Sequence, residues 1–341
     1  MNTLKLYKPR SFHDHLREGE LLMAVLPAYA KAYSATLAMP NLLGGVKIAT
    51  LADLIEYQAQ VEAAKSQCGC PDFHVDWSIR LTPCTTEQTI VGAKEHGALV
   101  MKFYPPNTTT NSSQENWHLD DSRLLRNLSV MEEIGMIFSG HLEFPGSPHL
   151  TAEQDMIPFL RNLVRLYPRL KIVVEHVSSE AMIDFIERET SPDFVGGGIT
   201  PQHLVLTISD VVANADNFCL PCAKLWADRD AVIRVATSGD PRWWFCPDGA
   251  PHSRSAKECA KPKGGISNPL VALAVGAEVF EEQCALEKLG PFMAESGPHF
   301  YNVPVIPQEV TLVKRPWIVP DEFNGVRNFL AGRQLAWQVI G

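Results

Sequence analysis

The sequence predicts an α/β protein, a closed (β/α)8 barrel, and two observations carry that reading. Short β-rich runs alternate with longer helical patterns eight times, and side chains able to do chemistry collect at the ends of those runs. Eight strands, each followed by a helix, is the count of a closed parallel barrel. A length of 341 residues suggests about two domains on average, but one such barrel also accommodates it. No composition break or long linker divides the chain, so residues 1–341 read as a single barrel domain.

In order, the run Ser11–Leu16 leads into the helical pattern Leu21–Tyr33, and Ala35–Met39 into Leu51–Lys65. Phe73–Leu81 precedes Glu87–His96, Ala98–Tyr104 precedes Asp121–Ile134, and Met136–Gly140 precedes Ala152–Leu166. Lys171–Glu175 is followed by Ser179–Glu189, Asp193–Ile199 by a helix over roughly Ala223–Ala236, and Trp243–Cys246 by Pro269–Glu282. Thr50-Leu-Ala-Asp53 and Ser178-Ser-Glu-Ala mark helix starts, because hydroxyl and carboxylate side chains satisfy the orphan amides of a first turn. Pro105–Ser113, P-P-N-T-T-T-N-S-S, is the strongest loop signal. From about Gly297 the chain is proline-rich and is expected to wrap the barrel as an extended segment ending in a short helix.

Composition excludes several classes of function. The chain is 45% hydrophobic and 20% charged, ordinary for a folded protein with a large core, and its net charge of −9 argues against a nucleic-acid surface. No stretch approaches the ~18 consecutive apolar residues of a membrane span. The opening M-N-T-L-K-L-Y-K-P-R has neither a secretory apolar core nor an Arg/Ser-rich amphipathic run, so a cytoplasmic location is expected. Eight cysteines are too few for a disulfide framework, and neither Cys68-Gly-Cys70 nor Cys219-Leu-Pro-Cys222 has a second ligand pair nearby. Reduced, structural cysteines are the expectation.

The functional signal lies at the strand ends, which form the mouth of a parallel barrel. His13 and His15, in S-F-H-D-H-L-R, end the first run with Arg17 beyond them. In a strand, residues two apart project from one face roughly 6–7 Å apart, so two imidazoles there can converge on one small cation. Alone, the pair is equally compatible with solvent-facing or satisfied core histidines. The other strand ends add weight: Asn41 after the second, Lys102 in the fourth, His141 at the fifth, His176 at the sixth and Asp248 at the eighth. Side chains of this kind are rarely buried without partners. Lys102 is the odd member, since an ammonium is electrostatically wrong against a cation-binding mouth. Its amine either has captured carbon dioxide as a carbamate, binds an anionic substrate, or reaches the surface. His74, His96, His118, His149 and His299 have no convergent partners and read as surface or core residues. His203, in T-P-Q-H at the end of the seventh run, reads as support for the site, and Trp243 and Trp244 as barrel packing.

Taken together, H-D-H-L-R, M-P-N-L, K-F-Y-P-P-N-T-T-T-N-S-S, the histidines of G-H-L-E and V-E-H, I-T-P-Q-H, C-L-P-C-A-K and D-G-A-P-H resemble the bacterial and fungal single-function type of dihydroorotase. That family belongs to the amidohydrolase superfamily of metal-dependent TIM barrels. The resemblance runs from about residue 5 to residue 305; H-x-H marks only the superfamily, whereas N-T-T-T-N-S-S with D-G-A-P-H marks this family. It implies a binuclear zinc site, with His13, His15 and Asp248 on one ion, His141 and His176 on the other, and carbamylated Lys102 (N6-carboxylysine) and a hydroxide bridging both. Asp248 would also act as general base and acid. Arg17, Asn41 and His252 match positions that hold the substrate carboxylate, the backbones of Leu220 and Gly264 match those touching the ring, and Thr109 and Thr110 match a lid loop. The implied reaction interconverts (S)-dihydroorotate and N-carbamoyl-L-aspartate in de novo pyrimidine (UMP) synthesis, in a homodimer. The chain departs from the pattern around His141, whose neighbours are Gly140 and Leu142, around Asp248, flanked by Pro247 and Gly249, and before Gly264, in K-E-C-A-K-P-K-G-G. Two rivals remain: a hydantoinase or allantoinase, and a metal-free barrel kept as a scaffold.

Overall fold

The computed structural model describes residues 2–45, 47–109 and 118–340. After β1 (Thr3–Tyr7) come eight parallel strands: β2 (Arg10–Asp14), β3 (Ala35–Ala38), β4 (His74–Leu81), β5 (Ala98–Phe103), β6 (Ile137–Gly140), β7 (Ile172–Val174), β8 (Val195–Ile199) and β9 (Trp243–Phe245). Each bonds to the next in chain order, β2 through β9. The seam closes just past β9, where Asp14 and Gly249 form a parallel bridge and the His15 amide donates to the Gly249 carbonyl at 2.8 Å. All eight strands lie within two residues of their predicted bounds. Buried on both faces, such strands read as continuous apolar runs with a defined end, which makes them visible in a single sequence.

The helices between strands begin where the caps predict. Thr50 and Asp53 form a reciprocal capping box at the start of Leu51–Gln67, and the Ser179 hydroxyl accepts from the Met182 amide at the start of Glu180–Glu189. Between β8 and the helix Trp226–Ala236 the chain inserts two short helices, Pro201–Val205 and Ile208–Ala213.

The N-terminal end of the barrel is sealed by aromatic side chains. Phe12 stacks on Tyr301 at 4.2 Å between ring centroids, and Trp244 on Phe300 at 4.7 Å, both partners coming from the helix Ser296–Tyr301. Space for the two tryptophans comes from V-G-G-G-I in β8: a Cβ on Gly196 would overlap Trp244, and one on Gly197 would overlap Trp243. The barrel is therefore a filled core and not a pore.

The tail differs from the expectation. It does not end in a short helix. Strand β10 (Glu309–Ile318) and, after a small hairpin of β11 (Glu322–Phe323) and β12 (Val326–Arg327), strand β13 (Gln334–Ile340) join β1 in an antiparallel sheet of order β1-β10-β13. Leu335 and Trp337, two residues apart, are both buried, which is the period of a strand and not of a helix. Among the described residues no helix is long and apolar enough to cross a membrane.

Candidate active site

The polar residues at the C-terminal strand ends converge on one cavity. Eleven of the thirteen predicted site residues line it: His13, His15, Arg17, Asn41, Thr109, His141, His176, Leu220, Asp248, His252 and Gly264. Lys102 is buried and not among its lining residues, and Thr110 falls outside the described residues. Three of the side chains sit where backbone of L residues is strained, with φ of +65° at Arg17, +43° at His176 and +47° at Asp248. Each lies two or three residues past the end of a barrel strand, where the chain turns at the mouth.

Two groups of donors face each other. His13 Nε2 and His15 Nε2 lie 3.4 and 3.6 Å from Asp248 Oδ1. Across the mouth, His141 Nδ1 and His176 Nε2 are 3.2 Å apart. Donors around a tetrahedral zinc with bonds of 2.0–2.1 Å sit roughly 3.3 Å from one another, so both groups have the separations a bound ion requires. Burial drives the pKa of His15, His141 and His176 down, keeping these imidazoles neutral, the form that ligates metal. His176 Nδ1 is buried with no hydrogen-bond partner among the described residues. The donor set fits metal ions.

Three of these histidines are aimed by contacts that sequence reasoning missed. His13 Nδ1 lies 3.0 Å from Glu175 Oε2, His141 Nε2 lies 2.8 Å from Glu143 Oε2, and His15 Nδ1 lies 3.2 Å from the Asn41 carbonyl. A carboxylate or carbonyl on one ring nitrogen fixes which nitrogen is presented to the cation. Burial would raise the pKa of Glu175, yet Lys102, His13 and the Cys246 thiol hold it down to about 2. A second cluster, His13, Glu175 and Cys246, also brings three donor atoms together. Glu175 Oε2 there accepts from the Cys246 thiol at 2.9 Å, and the Ser139 hydroxyl donates to Oε1, so its lone pairs serve the imidazole and not a second ion. The only sequence signal was adjacency: Glu175 precedes His176, and Glu143 follows His141 by two.

Lys102 is fully buried, with Nζ 5.3 Å from the Tyr104 ring centre and no hydrogen-bond partner among the described residues. Burial lowers its pKa, opposed by Glu175, Cys246 and Asp248. It neither lines the cavity nor reaches the surface, and both were open readings of the sequence. Asp248 is pushed up by burial and pulled back by His13, Lys102, His141 and Arg17. Tyr104, which the sequence reading passed over, also lines the cavity, and its buried hydroxyl has no hydrogen-bond partner among the described residues.

At the other side of the cavity Arg17 Nε donates to the Pro251 carbonyl at 3.0 Å, and Nη2 lies 3.2 Å from His252 Nε2. Burial first, and Arg17 second, lower the His252 pKa to about 3, so this imidazole is neutral and the local charge is that of the guanidinium. His203 supports this wall: Nδ1 lies 2.9 Å from the Thr200 hydroxyl and Nε2 3.0 Å from the Pro221 carbonyl, one residue from Leu220. Cys219 and Cys222 are free, buried thiols flanking the same segment.

Comparison with known proteins then decides the family. The chain is 34% identical over 350 residues to the dihydroorotase of Shewanella sediminis, covering 99% of each protein. The chain belongs to the dihydroorotase family. It is also 33% identical to the mitochondrial dihydroorotase of Arabidopsis thaliana over 347 residues, 99% of this chain and 91% of that one. The crystal structure of Saccharomyces cerevisiae dihydroorotase in complex with 5-fluoroorotic acid superposes with a TM-score of 0.89 at 30% identity, covering 100% and 99% of the two chains. An L-hydantoinase from Arthrobacter aurescens superposes with a TM-score of 0.81 at 14% identity over 98% of this chain and 83% of its own, a likeness of fold alone. No family model matches the chain.

Proposed function

We propose that this dihydroorotase-family chain opens the ring of (S)-dihydroorotate to N-carbamoyl-L-aspartate, and closes it in the reverse direction, at the cavity around Asp248. The observation that carries the reading is the pairing, within one cavity, of two groups of buried imidazole donors with a buried guanidinium. A substrate with a hydrolysable amide and a carboxylate matches both halves.

His13, His15 and Asp248 would hold one zinc ion, and His141 and His176 a second. Bound ions would supply Lewis acidity there, lowering the pKa of a bound water and polarising the amide carbonyl. Lys102 would join the ligand set as a carbamate: its neutral amine would attack carbon dioxide, forming a C–N bond and releasing one proton, and so supply an anionic oxygen donor. The burial that lowers its pKa favours the neutral amine this step needs. Arg17 presents paired donors to the substrate carboxylate, with Asn41 and neutral His252 beside it. Asp248 removes a proton from the attacking water and returns it to the ring N–H as the C–N bond breaks, so the nitrogen departs as the neutral carbamoyl NH2 while the new carboxyl releases the water's second proton. Leu220 and Gly264 form the wall against the ring, and Thr109 stands at the loop proposed to cover it.

The test is a substrate panel with metal analysis. Turnover of dihydroorotate should exceed that of hydantoin and allantoin by at least tenfold and vanish on chelation, returning with zinc. Faster hydantoin turnover, or full activity in metal-free protein, would overturn the reading.

A further inference from the structure

We infer that Asp14 is a positioning residue for Asp248: its carboxylate, together with the Tyr29 hydroxyl, holds the Gly249 peptide so that Asp248 is aimed into the cavity. The inference rests on the role proposed above for Asp248.

Asp14 lies between the two histidines of H-D-H, and strand alternation turns it away from them into the wall of the barrel. There it is fully buried and serves three donors from three places in the chain. The Ser11 hydroxyl and, at 2.7 Å, the Thr36 hydroxyl of β3 donate to Oδ2, and the Gly249 amide donates to Oδ1 at 3.0 Å. The third bond crosses the seam where the barrel closes, and it falls on the residue after Asp248.

That peptide is held from its other side as well. The Gly249 carbonyl accepts from the Tyr29 hydroxyl at 2.9 Å and from the His15 amide at 2.8 Å. On the near side of Asp248, the Pro247 carbonyl accepts from Asn268 Nδ2 at 2.6 Å and Gln202 Nε2 at 3.1 Å. Every one of these groups is buried, where a lost partner is costly. The residue caught between them has φ of +47°, a backbone that an aspartate leaves unless its surroundings hold it.

The flanking residues fit the same account. Gly249 does not have a left-handed φ, so space is what demands glycine: a Cβ there would overlap Asp14 Oδ1 and Tyr29 Oη. The departure from the family pattern at Pro247 and Gly249 is thus matched by a carboxylate placed to receive the turn.

The experiment compares Asp14→Ala, Asp14→Asn and Tyr29→Phe with the wild type, measuring kcat, KM and the zinc affinity of the metal-free chain by calorimetry. Asn keeps an acceptor for the Gly249 amide, and its NH2 group can donate to Ser11 and Thr36. Expected are a kcat about 100-fold down in Asp14→Ala with KM within threefold, at least tenfold weaker binding of one zinc, and recovery to within about fivefold of wild type in Asp14→Asn. Tyr29→Phe should lower kcat about fivefold. Unchanged kcat in Asp14→Ala overturns the inference, as does an equal loss in Ala and Asn variants with KM moving in parallel, the mark of a purely structural carboxylate. If Asp14→Ala does not fold, Tyr29→Phe and Asp14→Asn decide, and a kcat within a factor of two of wild type in Tyr29→Phe overturns it. Asp248→Ala separates the two readings: retained turnover there fells the proposed mechanism together with this inference, whereas lost turnover beside an unaffected Asp14→Ala fells this inference alone.

Discussion

The two ends of the barrel are built on opposite principles. At the N-terminal end, Phe12, Tyr301, Trp244 and Phe300 stack in pairs, and the Gly196-Gly197 backbone is trimmed to admit two indoles. At the C-terminal end, three candidate site residues hold positive φ, a lysine amine is buried without a hydrogen bond among the described residues, and imidazoles crowd within 5.5 Å of one another. One end maximises apolar contact, and the other keeps charged and polar groups out of water, crowded onto a few shared partners. Stability stored in the first end permits the strain of the second, the division expected of a barrel whose chemistry sits at the strand C-termini.

The contrast breaks most clearly under paired substitution. Asp248→Ala should reduce kcat by a factor on the order of 10⁴, the full range of general acid–base catalysis, while leaving the thermal midpoint within a few degrees. Trp244→Ala at the other end should do the reverse, costing about 4 kcal/mol of unfolding free energy with kcat within threefold. Denaturant titration and initial rates on both proteins check this. A Trp244→Ala enzyme with normal stability, or a strongly impaired kcat at full folding, would erase the distinction between the ends.

The same contrast explains what the sequence disclosed. Strands of the barrel declare themselves locally, because each is a continuous apolar run, and its terminal histidine, lysine or aspartate stands out against that background. The tail does not: β13 pairs only with β10, which in turn pairs with β1, more than 300 residues away, and five to ten residues of alternation carry little weight without the partner. The aiming carboxylates show a different blindness. Asp14, Glu143 and Glu175 sit next to the histidines in sequence, but adjacency does not say what each one bonds: Glu143 reaches His141 two residues back, whereas Asp14 turns to the Gly249 amide. Glu175 adjoins His176 and bonds His13, 162 positions away. Tyr104 gave no signal, since an aromatic after a strand reads as packing.

A milder prediction sharpens the polar end. Arg17→Lys keeps the positive charge but not the fork geometry that reaches the Pro251 carbonyl and His252 together. Hydrogen bonds between charged groups contribute about 1.5–3 kcal/mol, so KM for dihydroorotate should rise on the order of 10- to 100-fold, with kcat less affected. A KM within twofold of wild type would remove Arg17 from carboxylate binding.

The smallest effect concerns His203, which stands between the two ends in character, buried like the core yet hydrogen-bonded like the site. Burial above all, with Lys224 nearby, lowers its pKa to about 4 from an unfolded value near 6.5. The unfolded chain therefore binds more protons than the native one between those values, so stability rises with pH through this window and is lost as pH falls from 6.5 toward 4. A shift of this size corresponds to about 3 kcal/mol at most, at 1.36 kcal/mol per pH unit. Replacing the ring with His203→Gln should lower stability at pH 7, where the bonds to Thr200 and the Pro221 carbonyl are lost, but flatten the decline between pH 7 and pH 4.5. Urea unfolding of both proteins at the two pH values measures the difference directly. An acid decline just as steep in the variant would mean that other buried groups, and not this imidazole, set the acid limit of the fold.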